Sequence, residues 1–271
     1  MSDALLTPLV LFAGSSLAFS CVFYHLYEEK KKETRKLKEI PKFQPDHHLL
    51  KVLKSSPHKR LQYVAVEGIV QADGESLASQ FVPRCFAVVQ KVTVQEHWKL
   101  WNSVTNAWSR NVRNRKETNN SVPFSLVSPG TYLYDSSVKV QSPLAASGDY
   151  LEEVHRHMKF AKEDLVDVVV QGLSGEKPVA QEEREEILKV GATITGFGEV
   201  VLEYGDVMRL QPPKDGRLYV LMSGDHKSFI ERHERTAGWF KALTALLGIT
   251  GTSVLAGVAF SAYNQHGGRK D

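Results

Sequence analysis

Two long apolar segments, one near each end of the chain, constrain the fold more than any other feature. Residues 4–27 and 242–263 contain no Asp, Glu, Lys or Arg. About 20 predominantly apolar residues are enough for a helix to cross the hydrocarbon core of a bilayer. A buried helix of a soluble protein can also be apolar all round, but two such segments at opposite ends favour a protein that spans a membrane twice.

The flanks of the first segment favour an uncleaved signal anchor over a cleaved signal peptide. A signal peptide has a basic region before its apolar run, whereas this run is preceded by the acidic Asp3. Basic residues follow the run instead, and they predict a charged helical stalk that continues the membrane helix over residues 28–40. These basic residues are Lys30, Lys31, Lys32, Arg35, Lys36 and Lys38.

The second segment presents a stripe of small residues. Ser253, Gly257 and Ser261 recur every four positions, so they share one face of a helix. Small residues allow a second helix to approach closely, which predicts a helix–helix contact on this face. The alternative interpretation is that these residues only lower the hydrophobicity of the span.

Between the two spans, the pattern predicts an α+β domain that is mainly β, with a small-barrel-like core. Short runs rich in β-branched and aromatic residues are separated by Gly and Pro. Asp46 is expected to cap a short helix that carries Leu49, Leu50 and Leu53. Strands are predicted over 61–70, 85–95, 131–140, 207–213 and 217–223, two more over 189–204 around Gly196 and Gly198, and helices over 162–172, 182–188 and 225–241.

These features divide the chain into seven segments. The boundaries predicted from sequence are 1–3 for the N-terminal tip, 4–27 for the first membrane helix, 28–60 for the charged stalk and short helix, 61–224 for the folded domain, 225–241 for a juxtamembrane helix, 242–263 for the second membrane helix and 264–271 for a short tail.

The residues nominate no catalytic, metal or cofactor site. Gly191, Gly196 and Gly198 lack the Gly-Lys-Ser/Thr ending of a phosphate loop and are interpreted as turn glycines. The His47–His48 and His155–His157 pairs have no further ligand at a plausible spacing. With only Cys21 and Cys85, the sequence excludes a disulfide framework and a multi-cysteine zinc module.

Nucleic acid is not an expected partner. Trp98, Trp101 and Trp108 precede a basic stretch, and aromatic residues beside basic ones can stack on and clamp a single strand. A net charge of +3 gives this reading little support. The pattern is better explained by strand packing beside a solvated basic loop, which contains Arg110, Arg113, Arg115 and Lys116.

Taken together in chain order, a set of short motifs resembles the mitochondrial ubiquitin ligase activator of NF-kappa-B family, also called MULAN, mitochondrial-anchored protein ligase or GIDE. The motifs run along essentially the whole chain. They are Tyr63-Val-Ala-Val-Glu-Gly68, Ser79-Gln-Phe-Val82, Gln95-Glu-His97 with Trp101-Asn102, Val122-Pro-Phe-Ser-Leu-Val127, Ser174-Gly-Glu-Lys-Pro178, Leu188-Lys-Val-Gly-Ala-Thr-Ile-Thr-Gly196 with Gly198-Glu199, and Val207-Met-Arg-Leu-Gln-Pro-Pro-Lys214.

The resemblance implies a double-spanning protein of the mitochondrial outer membrane. The middle domain, called BAM for "beside a membrane", would face the intermembrane space, and both termini would be cytosolic. Basic residues on the inner flanks of both spans would, by the positive-inside rule, place the middle domain in the cytosol instead; that rule describes another membrane and insertion route, so the family topology is the expectation here.

Family members end in a cytosolic RING finger and act in mitochondrial fission, mitophagy, apoptosis and innate immune signalling. A RING holds zinc through Cys and His ligands, and no cysteine follows Cys85 in this sequence. No ligand position carries over, so the chain by itself is expected to be catalytically inactive. We therefore expect a binding or regulatory module in protein ubiquitination. Its expected partners are membrane lipid, a protein partner of the BAM domain, and further family members in a homo-oligomer or in a hetero-oligomer with full-length relatives. The alternative is a truncated form of an active RING-type E3 ubiquitin transferase.

Overall fold

The structure is a computed structural model of the chain, and it describes residues 3–130, 136–160, 176–204 and 206–267. The chain divides into two compact units, one formed by residues 1–40 and 227–271 and the other by Pro41–His226. The helices are α1 (Asp3–Glu39), α2 (His47–Ser55) and α3 (His226–Gly267). The strands are β1 (Lys42–Phe43), β2 (Arg60–Ala72), β3 (Leu77–Ala78), β4 (Phe86–Asn102), β5 (Ala107–Ser121), β6 (Phe124–Val127), β7 (Ser137–Val140), β8 (Glu152–Phe160), β9 (Glu176–Lys189), β10 (Thr193–Leu202), β11 (Met208–Gln211) and β12 (Val220–Ser223).

The first unit is a pair of antiparallel helices, α1 and α3. The Ser20 hydroxyl donates to the carbonyl of Thr244 at 2.9 Å, and the Ser16 hydroxyl donates to the carbonyl of Leu247 at 2.8 Å. A Cβ added at Gly251 would lie 2.9 Å from Leu17 Cγ, so glycine at this position allows the two helices to approach closely. Both helices are long and apolar enough to cross a membrane. As predicted, α1 continues past its apolar run as a charged helix, and residues 226–241 lead without a break into the second run.

The second unit contains a small closed barrel. Strands β2, β6, β7, β11 and β10 follow one another around it, and pairing of β10 with β2 closes the ring. Strands β1 and β12 extend the same sheet from β2 and β10. Apolar side chains fill the core, and Phe124, Leu126, Ile194 and Leu210 have at most 1% of their surface exposed.

Helix α2 completes the barrel core. Leu49 and Leu53 are fully buried and belong to the same apolar cluster as the barrel strands. The Leu49 amide donates to the Asp46 carboxylate at 2.9 Å, which confirms the predicted N-cap. The short helix that the sequence placed before the domain thus belongs to the folded unit.

A long antiparallel sheet, in the order β8-β9-β4-β5, forms the rest of this unit and is called the arm below. Strand β4 has 17 residues and is therefore about 55 Å long. At its root, Val88, Val89 and Leu188 are buried in the apolar core. Towards the turn between β4 and β5, every residue from Trp101 to Arg110 is exposed.

Two local predictions in this region were wrong. Residues 182–188 were expected to form a short acidic helix but lie within β9, paired with β4 on one side and β8 on the other. The basic stretch 110–116 was expected to be a loop but lies within β5. In both places, pairing with a distant strand outweighs a weak local preference. The helix predicted over 162–172 lies outside the described residues.

The glycines of the 191–198 stretch divide into two roles. Gly191 has a φ of +85° and turns the chain between β9 and β10, as predicted. Gly196 and Gly198 do not separate two strands, because β10 runs through both. A Cβ at Gly196 would lie 2.5 Å from Leu210 Cδ2, so glycine is needed there for close packing inside the barrel.

Candidate partner-binding face of the arm

Strand register assembles one face of the arm from residues that are far apart in sequence. The first row across the sheet is Phe160, Ala180, His97 and Val112. Directly opposite residues on paired strands share a face, so these four side chains lie side by side.

Two further rows continue the same face towards the end of the arm. The second row is Lys177, Lys99 and Arg110, and the third is Trp101 opposite Trp108. The Trp101 and Trp108 rings meet edge to face with centroids 5.4 Å apart. These three rows are called the arm face below.

The arm face leaves large apolar groups in solvent. Phe160 is 70% exposed, Trp108 48%, Val112 47% and Trp101 43%. Single exposed apolar residues are ordinary on protein surfaces, whereas several on one face, interspersed with basic residues, favour an interaction site. Aromatic residues and Arg are also the types enriched at interface centres.

The middle row of the arm face places like charges next to each other. Lys99 lies directly opposite Lys177 on one side and Arg110 on the other. Like charges in directly opposite positions destabilise a sheet by a few tenths of a kcal/mol. The row concentrates positive charge on the arm face, and it favours a partner that carries negative charge.

Beside the first row, the buried carboxylate of Glu182 holds three polar side chains in place. Glu182 is 4% exposed and accepts hydrogen bonds from Gln95 Nε2 at 2.8 Å, from His97 Nε2 at 2.7 Å and from Arg156 Nε at 2.7 Å. The bonds from Gln95, His97 and Arg156 hold the pKa of Glu182 at about 2. Glu182 is therefore ionised at neutral pH, and it holds the His97 ring in a fixed position on the arm face.

A second buried carboxylate anchors the loop after β3 to the root of the arm. Glu185 is fully buried and accepts bonds from Ser79 Oγ at 2.6 Å, from the Gln80 amide at 3.0 Å and from Gln90 Nε2 at 2.6 Å. Burial acts to raise the pKa of Glu185, but these donors outweigh it and the pKa lies below its usual value. Neither Glu182 nor Glu185 stands out in the sequence, because both lie in the acidic stretch 182–188, which was predicted to be a short helix.

The structure separates the tryptophans that the sequence grouped together. Trp98 lies on the opposite face of the arm, where the Arg113 guanidinium sits 5.5 Å from its ring centroid. Arg113 also makes a bidentate ion pair with Glu176, with bonds of 2.7 and 2.8 Å. Trp98 and Arg113 thus stabilise the sheet, and only Trp101 and Trp108 remain on the arm face. The absence of a nucleic-acid partner stays a prediction.

The histidine pairs have local packing roles. The His155 ring stacks on Phe81 with centroids 4.2 Å apart, and the His48 ring stacks on Phe43 at 6.1 Å. Among the described residues, no group of three or more His, Cys, Asp or Glu side chains could hold a metal ion. That this chain uses no metal and no cofactor stays a prediction.

The contacts between α1 and α3 that the described residues show do not involve Ser253 or Gly257. The described contacts with α1 involve Gly248 and Gly251, whereas a Cβ added at Gly257 would meet no atom within 4 Å. Ser253 and Gly257 are exposed, and the Ser261 hydroxyl donates to the carbonyl of Val258 within its own helix. Contact of another helix with Ser253, Gly257 and Ser261 stays a prediction.

The class of protein that these features define has two apolar helices bracketing, in sequence, a strand-rich barrel with a long arm. A family model described as "GIDE: E3 Ubiquitin ligase" matches residues 93–257, which include most of β4, all of β5–β12 and much of α3. The chain belongs to this GIDE family.

Relatives that are named as mitochondrial ubiquitin ligases, or as activators of that kind, align with most of the chain. The zebrafish (Danio rerio) mitochondrial ubiquitin ligase activator of nfkb 1-A is 39% identical over 252 residues, which are 93% of this chain and 73% of the relative. The human mitochondrial ubiquitin ligase activator of NFKB 1 is 36% identical over 245 residues, which are 90% of this chain and 69% of the relative. The Drosophila melanogaster mitochondrial E3 ubiquitin protein ligase 1 is 27% identical over 208 residues, which are 77% of this chain and 59% of the relative. No solved structure matches the chain.

Proposed function

We propose that the chain is a non-catalytic, membrane-anchored binding module of the mitochondrial ubiquitin-ligase system. It holds a protein partner on the arm face and so regulates ubiquitination in mitochondrial organisation, in apoptosis and in innate signalling. The observation that supports the partner-binding role is the group of exposed aromatic and basic residues that strand register places on the arm face.

The proposed location is the mitochondrial outer membrane. Helices α1 and α3 span it, Pro41–His226 lies in the intermembrane space and both ends of the chain are cytosolic. Support comes from the two apolar helices and from relatives named as mitochondrial.

Two measurements test this location. Carbonate extraction of mitochondria is expected to leave the chain in the membrane pellet, and release into the supernatant contradicts insertion. Protease added to intact mitochondria is expected to spare Pro41–His226 until the outer membrane is ruptured. Cleavage of this unit in intact mitochondria contradicts the intermembrane placement.

The non-catalytic role rests on the ligand count. A RING finger needs several Cys and His ligands for its zinc ions, and these 271 residues contain two cysteines. Incubated with E1, E2, ubiquitin and ATP, the purified chain is expected to form no ubiquitin conjugates, while a RING-containing relative in the same assay serves as the positive control. Conjugation by the chain alone contradicts this part of the proposal.

The second candidate is an active ubiquitin ligase of which these residues form a part. It is favoured by the lengths of the relatives, since the aligned region covers 73% of the zebrafish protein and 69% of the human protein. Sequencing the transcript beyond the codon for Asp271 distinguishes the two, because an in-frame array of Cys and His codons supports the ligase.

The arm face defines the chemistry of the proposed partner. Exposed aromatic rings favour apolar side chains in the partner, and the Lys177–Lys99–Arg110 row favours carboxylates between them. We therefore expect an acidic protein segment with interspersed apolar residues.

Site-specific crosslinking tests the arm face directly. A photoactivatable amino acid at Val112 of the full chain in mitochondria is expected to give discrete crosslinked bands, and the same probe at Ser109, on the opposite face, is expected to give none. The K99E/R110E variant is expected to lose the bands.

The matched control for that variant is K116E/K139E. It makes the same change in charge, but Lys116 pairs with Val94 on the other face of the arm and Lys139 lies on the barrel strand β7. Equal loss of the bands in both variants, or equal crosslinking from Val112 and Ser109, contradicts the assignment of the arm face.

A further inference from the structure

A basic cleft lies between α1 and α3, beyond the ends of their apolar runs. Its volume is about 390 Å³. It is lined by Tyr27, Lys31, Thr34, Arg35, Lys38, Glu234, Ala237, Gly238 and Lys241.

The cleft carries an excess of positive charge. Four of its lining residues are basic and one, Glu234, is acidic. Lys38 forms an ion pair with Glu234, so that carboxylate is already neutralised. Lys31 also forms an ion pair with Glu28 at 3.8 Å. Glu28 does not line the cleft, so Lys31, Arg35 and Lys241 leave the lining itself with a net positive charge.

Small residues form the floor of the cleft and keep it open. Thr34 and Ala237 are buried where the two helices meet, with 6% and 7% of their surfaces exposed. A Cβ added at Gly238 would meet no atom within 4 Å. The cleft is therefore an open space at this position between the helices.

Its position along the helices matches the headgroup region of a bilayer. Tyr27 is the last residue of the first charge-free run, and Lys241 immediately precedes the second. Lys31 and Arg35 follow Tyr27 by about one and two helical turns. Aromatic and basic residues at such positions anchor a helix at the membrane interface.

We propose that this cleft binds the phosphate of an anionic phospholipid headgroup. Arg35 offers a planar pair of N–H donors that suits phosphate oxygens, and Lys31 and Lys241 add positive charge from both helices. Basic pockets between membrane helices are known to hold such headgroups. The bound lipid joins α1 to α3 at the point where they leave the hydrocarbon core.

Native mass spectrometry of the full chain in detergent micelles tests this site. The probes are phosphatidic acid and phosphatidylcholine with identical acyl chains. The wild-type chain is expected to retain one phosphatidic acid in preference to phosphatidylcholine. The K31Q/R35Q/K241Q variant is expected to bind phosphatidic acid at least about tenfold more weakly, since each removed charge weakens attraction to the headgroup.

The matched control is K32Q/K36Q/R235Q, which removes the same charge from the same helices at positions that do not line the cleft. It is expected to bind phosphatidic acid within about twofold of wild type. A third variant, G238W, fills the cleft without changing the charge and is expected to lose the lipid as well. Circular dichroism checks that each variant keeps its helices.

Several outcomes overturn the proposal. Equal weakening in the cleft and control variants indicates non-specific attraction between charges, and equal retention of the two lipids indicates that the phosphate is not recognised. Competition by millimolar inorganic phosphate that removes the lipid indicates a site for free phosphate instead of a headgroup. The arm-face crosslinks do not depend on the cleft residues, so failure here is distinguishable from failure of the proposed function.

Discussion

The barrel and the arm belong to the same folded unit but are stabilised in different ways. The barrel closes on itself around apolar side chains such as Phe124, Leu126 and Leu210, which are almost wholly removed from water. Among the described residues, the side chains of the arm beyond its root do not join this apolar cluster. Its strands are connected by polar groups such as Glu182, and Phe160 and Trp108 remain in solvent.

The difference indicates where partner binding can evolve without loss of the fold. Burial of apolar surface dominates folding stability, so changes inside the barrel affect the whole unit. A sheet held by cross-strand pairs and hydrogen bonds has surface positions that contribute little to stability. The arm can therefore present residues chosen for an interaction, even where they are unfavourable for the sheet itself.

The largest expected effect is a Phe124→Ala substitution in the barrel. Phe124 is 1% exposed, so truncation removes buried apolar contacts and leaves a cavity that costs about 3–5 kcal/mol of unfolding free energy. Phe160→Ala on the arm face is the control and is expected to cost under about 0.5 kcal/mol. Denaturant unfolding of the full chain in detergent measures both, and similar losses would contradict the contrast between barrel and arm.

The next effect concerns the polar network of the arm. Glu182→Gln removes a buried charge that accepts bonds from Gln95, His97 and Arg156, and is expected to cost about 2 kcal/mol. Glu183→Gln on the other face, whose partner Lys159 is largely exposed, is expected to cost under about 0.5 kcal/mol. Thermal unfolding monitored by tryptophan fluorescence measures both losses of stability, since three of the four tryptophans are on the arm.

The lowered pKa of Glu182 predicts that the stability of the chain depends on pH. The pKa of Glu182 is lowered from 4.5 to about 2 in the folded chain, so the unfolded chain takes up the proton first as the pH falls. The stabilisation is complete above about pH 4.5, is lost progressively towards pH 2 and is on the order of 3 kcal/mol. The Glu182→Gln variant should lose less stability across this interval, and an unchanged pH profile in that variant would contradict the assignment.

The smallest effect has the opposite sign. Lys99→Gln removes the like-charge contacts with Lys177 and Arg110 and is expected to stabilise the arm by about 0.3 kcal/mol, more clearly at low salt. The same variant should weaken the crosslink from Val112. Lys116→Gln, opposite the uncharged Val94, is the control and is expected to change neither quantity. If Lys99→Gln instead lowers the stability of the arm, the row Lys177–Lys99–Arg110 stabilises the sheet and the prediction is wrong.

Much of the barrel could be predicted from the sequence, because its strands are rich in apolar and β-branched residues. The predicted strand 61–70 corresponds to β2, and 207–213 and 217–223 contain β11 and β12. The arm was largely missed. Strands β5 and β8 are rich in polar residues, so neither shows the alternation of apolar and polar residues that identifies a half-buried strand.

The candidate site was missed for a related reason. Trp101 and Trp108 were noted as aromatic residues near basic ones, but Phe160 and Lys177 lie far away in sequence. Register shifts near Gln95 and His97 change which residues stand opposite each other. Local sequence patterns carry no information on such shifts, so the three rows of the arm face could not be assembled from them.

The sequence by itself determined the two membrane-length helices, the charged extension of the first helix, the strand-rich class of the middle unit and the family to which the chain belongs. These properties depend on composition and on local order of residues, which a single chain displays directly. Only the tertiary structure decided that β10 closes the barrel onto β2, that Glu182 is buried and ionised, and that Phe160, Lys99 and Trp108 share one face. Those features depend on pairing between strands that are distant in sequence, and such pairing is fixed by the packing of the whole unit.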